Sequence, residues 1–127
     1  MNRCRILLAD DHLLLLSVLD RFLAEVPEIE VIAHTRDGLE AMALAILHRP
    51  DLVVMNLAMS GLSGLELTRR VATEPWAPRV VLMSFHDEPE YRRAAESAGA
   101  AGFILKHDLG TELVPLILSL MKEGIDS

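Results

Sequence analysis

Leu52-Val53-Val54-Met55-Asn56, near the middle of the chain, is four apolar residues in a row closed by an amide. A strand with one face in water alternates apolar and polar residues, whereas an unbroken apolar run marks a strand covered on both faces. Four similar runs lie outward from it. Ile6-Leu7-Leu8-Ala9 and Ile29 to Ala33 precede it, and Val80-Val81-Leu82-Met83 and Phe103-Ile104-Leu105 follow. After each run comes a segment of helical spacing. Leu15, Leu19, Phe22 and Val26 share one face of the first, and Leu39, Met42 and Ile46, with Ala43, share one face of the second. Strand and helix alternating five times predict an α/β fold, a parallel five-stranded sheet with helices on both sides.

Punctuation supports the same division. Pro27 closes the first helix, Arg49-Pro50-Asp51 closes the second, and Pro75 and Pro78 bracket the way into the fourth strand. Ser63 is placed to cap the third helix. Asp87 is placed to cap the fourth, with Glu90 three residues on as a capping box. The final helix, about Thr111 to Lys122, is apolar nearly all round and carries Pro115, and the first helix opens with four leucines, Leu13 to Leu16. Such helices are either buried or covered by a partner, so a homodimer through the first and last helices is one expectation.

The 127 residues suit one domain, 1–127, with a core of about 3–123 and with 124–127 as the start of a linker. A net charge of -7 argues against a chain that grips nucleic acid by itself, because that affinity comes from Lys and Arg on phosphates. Arg69-Arg70 and Arg92-Arg93 read as solvated helix faces. A single cysteine, Cys4, excludes an internal disulfide. Neither a signal peptide nor a membrane span is visible, and the expected location is the cytoplasm.

Ligands of an open parallel sheet bind beyond the carboxyl ends of its strands. There the sequence places Asp10-Asp11 after the first strand, Asn56 at the end of the third, Ser84 at the end of the fourth and Lys106 at the end of the fifth. Each alone has an ordinary explanation, as a cap, a turn residue or a solvated charge. Together they bring two carboxylates, an amide, a hydroxyl and an ammonium to one rim. Adjacent carboxylates suit magnesium, which takes one or two and keeps its other positions for water and phosphate oxygens.

These positions, with Leu8-Ala9-Asp10-Asp11-His12, Gly61-Leu62-Ser63-Gly64 and Gly99-Ala100-Ala101-Gly102-Phe103-Ile104-Leu105-Lys106 around them, resemble the receiver domains of two-component response regulators. The resemblance runs from about Arg3 to Glu123. His86-Asp87-Glu88 further resembles the subfamily whose output is a helix-turn-helix DNA-binding domain. It implies a CheY-like, flavodoxin-like (βα)5 doubly wound sheet of strand order 2-1-3-4-5, relaying a signal without turnover of an external substrate. It also implies a histidine kinase that phosphorylates the carboxylate ending the third strand. Magnesium would be held by Asp10, Asp11 and the backbone carbonyl of Ala58. Lys106 and Ser84 would contact phosphoryl oxygens, and Ser84 with Phe103 would form the switch. DNA would be reached only through an output domain not in this chain.

One position departs from the family. Asn56 stands where the phosphoaccepting aspartate belongs, and a neutral amide is no nucleophile. Natural divergence and a deliberate exchange both account for it. Ser60, where the family commonly has proline, favours the former; intact Asp10, Asp11, Ser84 and Lys106 favour the latter. A conventional site gathers three carboxylates whose repulsion magnesium relieves, whereas here two remain, so magnesium binding should be weak or absent. Phe85, bulky and directly after Ser84, narrows the approach. An alternative is a phosphorylation-independent pseudo-receiver acting through dimerisation or protein binding. A remote one is a flavodoxin-like redox domain, although Asp-Asp-His-Leu-Leu after the first strand would repel a flavin phosphate.

Overall fold

A computed structural model describes residues 3–125; the last two residues of the expected 124–127 linker lie outside it. Five strands and five helices alternate: β1 Cys4–Ala9, α1 Leu13–Ala24, β2 Ile29–Thr35, α2 Gly38–His48, β3 Leu52–Asn56, α3 Gly64–Val71, β4 Arg79–Ser84, α4 Pro89–Ala98, β5 Gly102–Leu105 and α5 Leu109–Leu120. The sheet is parallel, as the apolar runs predict, and its strand order is 2-1-3-4-5, the order that the receiver resemblance implies. Its continuous apolar strands are buried from both sides. On one side β1 side chains such as Ile6 and Leu8 pack with α1 and α5; on the other, Leu7 and Ala9 pack with α2, α3 and α4.

Register decides what meets at the carboxyl rim. Ala9 is level with Met55, Asn56 with Met83, and Ser84 with Leu105. One step further along therefore sets Asp10 beside Asn56, and Phe85 beside Lys106. Side chains separated by tens of residues in sequence are brought into one row.

The two helix caps expected from the sequence fare differently. The Ser63 hydroxyl accepts from the Glu66 amide at 3.1 Å and starts α3, and Arg49, with φ of 46°, ends α2 in the left-handed conformation. Asp87 does not cap α4. Pro89 is the first helical residue, where its missing N–H and fixed φ are tolerated, so the cap position falls on Glu88, without a side-chain bond.

Two helix faces are corrected. In α1 the buried seam is Leu16, Leu19 and Leu23, while Leu15, Phe22 and Val26 flank it half-buried. In α2 the expected face is turned largely outward: Gly38, Ala41 and Ala45 are buried, and Leu39, Ala43 and Ile46 are exposed. The cause is close approach. A Cβ on Gly38 would lie 1.8 Å from the Leu62 carbonyl oxygen, so this side of the helix accepts only small residues. The final helix starts at Leu109 rather than Thr111 and directs its apolar excess inward. Leu113, Ile117 and Leu120 are buried, and Val114 and Leu116 pack half-buried on the same core. Little of α5 is left for the expected dimer face; on α1, Leu13, Leu14 and Val18 stay exposed.

Gly64, the first residue of α3, abuts the rim. A Cβ there would fall 2.5 Å from the Asn56 carbonyl oxygen and 2.7 Å from Leu82 Cδ2. Gly64→Ala should cost about 1–3 kcal/mol through overpacking. Gly110→Ala, with nothing within 4 Å of the added methyl, should be neutral or stabilising. Urea unfolding of the two variants checks this; equal midpoints would contradict it.

Candidate functional site at the carboxyl rim

Asp10 sits at the base of the site and is fully buried. Its Oδ1 accepts from the His12 backbone N–H at 2.9 Å and lies 3.1 Å from His12 Nδ1, while its Oδ2 lies 2.7 Å from Lys106 Nζ. Lys106 itself is almost fully buried, since the chain turns directly from β5 into a short 3-10 turn that keeps the side chain over the sheet edge. Removing two charges from water is costly, and a close opposite charge with further hydrogen bonds is what makes it tolerable. The pair is the electrostatic centre of the rim.

Phe85 covers that pair from outside. The Lys106 ammonium lies 4.7 Å from its ring centroid, and the His12 ring meets it edge-on at 6.4 Å. An ammonium over an aromatic face is attracted by the ring's negative quadrupole. Phe85 is 65% exposed, which leaves the ring as a flap over the lysine.

Asn56 is half-buried beside them. Its Nδ2 donates to the Ala58 carbonyl at 2.8 Å. Asp11 is half-buried, and its Oδ1 is a buried acceptor with no hydrogen-bond partner. The Ser84 hydroxyl is buried and accepts from the His86 N–H at 2.9 Å. Asn56, Ala58, Ser84 and Lys106 line a shared cavity of about 200 Å³, with Phe85, His12, His86 and Tyr91 on its outer wall. The rim thus collects the residues that the sequence placed at the strand ends. Phe103 is separate from the cavity: half-buried on β5, it has the Arg92 guanidinium 4.8 Å over its ring.

His12 and Tyr91 were not picked out by sequence reasoning. A signal for His12 existed, since an Asp side chain commonly accepts from the backbone two residues on. None existed for Tyr91, which reaches the cavity from α4 by stacking on His86 at 4.9 Å. A roomier hollow of about 370 Å³ opens at the opposite end of the sheet, among Arg49, Asp51, Trp76, Arg79 and Glu123. Most of its charges are already engaged: Arg79 pairs with Glu123 at 3.2 Å, and Asp51 accepts from the Arg5 N–H at 2.9 Å.

Comparison with known proteins bears on the fold and the family. Residues 6–117 match the family model described as response regulator receiver domain. The chain is 37% identical over 119 residues to the transcriptional regulatory protein LiaR of Bacillus subtilis, covering 93% of this chain and 56% of that protein. It is 33% identical over 121 residues to a probable transcriptional regulatory protein NarL of Mycobacterium tuberculosis, covering 95% of this chain and 56% of that protein. The chain therefore spans about half the length of these curated relatives. Among solved structures, the signal receiver domain of the NarL response regulator from Mycobacterium tuberculosis superposes with a TM-score of 0.90 at 33% identity, covering 96% of this chain and 98% of that one. A LuxR-family two-component response regulator from Aurantimonas gives 0.88 at 31% identity, covering 96% and 87%. With its fold and these relatives in accord, the chain belongs to the response regulator receiver domain family.

Proposed function

We propose that this chain is the receiver of a transcriptional response regulator in which no signal passes through an acyl phosphate on residue 56. The observation that carries the reading is the Asn56 carboxamide at the end of β3, donating to Ala58. A phosphoacceptor attacks through an ionised carboxylate; an amide oxygen is uncharged and the amide nitrogen lone pair is delocalised. The transcriptional half of the reading rests on the named relatives, which are regulators of about twice this length. DNA would be contacted by an output domain, since a chain of net charge -7 is a poor phosphate binder. A histidine kinase is the partner the family implies, the cytoplasm is the expected compartment, and the domain turns over no substrate of its own.

The donor set fits magnesium only in part. Asp10, Asp11 and the Ala58 carbonyl are the groups that would hold it, and there it would neutralise charge on phosphoryl oxygens. Yet both Asp10 oxygens face His12 or Lys106, and the Ala58 carbonyl accepts from Asn56. Asp10 Oδ2 and Asp11 Oδ1 are both buried acceptors without a hydrogen bond; the first is engaged by the Lys106 ion pair, and the second is left open. Among the described residues no three His, Cys, Asp or Glu side chains are gathered to hold a metal ion. The ammonium of Lys106 and the amide of Asn56 act as internal substitutes for the cation, so magnesium should bind weakly. Ser84 and Lys106 keep the family positions for phosphoryl oxygens, and Ser84 with Phe103 those of the switch. In the present state Ser84 is bonded within its own loop and Phe103 lies under Arg92.

The test is incubation with acetyl phosphate and magnesium, followed by intact-protein mass. Wild type should gain no phosphoryl group, and a stable adduct on residue 56 would refute the reading. Phe85 is a second, steric obstacle. In an Asn56→Asp background, Phe85→Ala should raise the labelling rate by roughly tenfold, about 1.4 kcal/mol of barrier. Identical rates for the single and double variants would remove Phe85 from the account. Self-association through the first and last helices has less to support it, because α5 is largely consumed by the core.

A further inference from the structure

Trp76, the chain's single tryptophan, stands half-buried in the hollow at the far end of the sheet, on a loop stiffened by Pro75 and Pro78. The Arg49 guanidinium lies 5.4 Å from the centroid of its ring. Among the described residues Arg49 is the one non-glycine with a positive φ, 46°, a conformation that glycine adopts freely and arginine does not. Strain held at a residue whose side chain lines a cavity points to a use for that side chain.

The polar groups of the hollow are out of balance. Its carboxylates are engaged, Asp51 by the Arg5 backbone N–H at 2.9 Å and Glu123 by Arg79 Nη1 at 3.2 Å. Its donors are not. Among the described residues neither the Arg49 guanidinium nor the Trp76 indole N–H has an acceptor. A guanidinium is a planar fork of donors with no acceptor of its own, so an oxyanion completes the set. The end of α2 opposes an anion with about half a charge. That effect is the smaller one. Arg5 Nη1 already holds the Arg49 carbonyl at 3.1 Å, and the guanidiniums of Arg5, Arg49 and Arg79 outnumber the carboxylates of Asp51 and Glu123.

We propose that this hollow binds a small aromatic anion, an oxyanion carried on a flat ring. The ring stacks on the Trp76 indole in place of the Arg49 guanidinium, and Arg49, moved to the ring's edge, grips the oxyanion with Arg79 alongside. The volume of about 370 Å³ lies at the lower end of the range for small-molecule sites, which suits one ring system with its acid group. An aromatic carboxylate and a nucleoside monophosphate share this chemistry. Binding draws Arg79 from Glu123, which follows α5, so occupancy is felt at the end of the last helix.

This site does not rest on the phosphoacceptor reading, and its failure leaves that reading untouched. With one tryptophan in the chain, fluorescence reports on the hollow alone. Benzoate and adenosine monophosphate are titrated at constant ionic strength, beside benzamide and adenosine as uncharged counterparts and inorganic phosphate as an anion without a ring. At least one of the two aromatic anions should change Trp76 emission saturably. Its uncharged counterpart and inorganic phosphate should each bind more weakly by roughly tenfold or more. The tighter of the two anions identifies the source as carboxylate or phosphate. Arg49→Gly relieves the positive φ and should fold, which its melting curve verifies, yet it should weaken the preferred anion by roughly tenfold. No saturable response to either aromatic anion, equal affinity for the uncharged counterpart or for inorganic phosphate, or full affinity in Arg49→Gly would each overturn the proposal.

Discussion

Asn56→Asp should convert a protein that acetyl phosphate leaves unmodified into one that it phosphorylates, and should make its stability depend on magnesium. The substitution changes few atoms but reverses the polarity of one contact. In wild type the Nδ2–H donates to the Ala58 carbonyl at 2.8 Å. A carboxylate would instead point an anionic oxygen at that carbonyl oxygen and add a third negative charge beside Asp10 and Asp11. Without metal, the loss of the bond and the new repulsion should cost about 1–2 kcal/mol, at the modest end because residue 56 is only half-buried.

Magnesium should then narrow the gap between the two proteins. A cation binding the folded state alone contributes about 2.7 kcal/mol at a hundred times its dissociation constant. The Asn56→Asp protein should therefore be the less stable in chelator and gain the more in magnesium. Wild type, whose Ala58 carbonyl is already satisfied, should shift little at the same concentration. Thermal melts of both proteins with and without magnesium test the charge argument, and phosphoryl mass tests the nucleophile argument. Matching magnesium shifts would defeat the first without touching the second.

The fold was legible because its signals are local and repeated. Unbroken apolar runs such as Leu52 to Met55 identify covered strands whatever the helices do. The rim was legible because a parallel sheet brings every strand's last polar residue to the same edge, so Asp10, Asn56, Ser84 and Lys106 need no knowledge of loop geometry. What failed depended on distances between elements. Hydrophobic spacing in α2 favoured Leu39, Met42 and Ile46 as the inner face. The narrow gap at Gly38 and Leu62 admits only Ala41 and Ala45, and sequence carries no measure of that gap. The flap made by Phe85 was visible only as bulk. Its seat over Lys106 follows from β4–β5 register, in which Ser84 pairs with Leu105 and the next residues come side by side. Asp87 failed as a cap for a local reason: Pro89 sets the helix start two residues later.

Lys106→Met should produce the largest loss of stability of any single change at the rim. The ammonium is the counter-charge of Asp10, 2.7 Å away, and both side chains are almost wholly removed from water. Deleting one member leaves the other's charge buried and uncompensated, which costs about 3–5 kcal/mol; for a domain of this size that is a fall in Tm of roughly 10 °C or more. Asp10→Asn should also destabilise, since it strands the ammonium, although Phe85 still faces it. Combining the two removes both charges, so the double variant should be more stable than Lys106→Met alone, and strict additivity of the two losses would show that the pair is not coupled. Magnesium separates a structural lysine from an internal counter-ion. With Lys106 gone, Asp10 Oδ2 is released beside the open Asp11 Oδ1, and Lys106→Met should gain more stability from magnesium than wild type does. If the added metal raised both melting temperatures equally, Lys106 would be holding the fold but not the place of the cation.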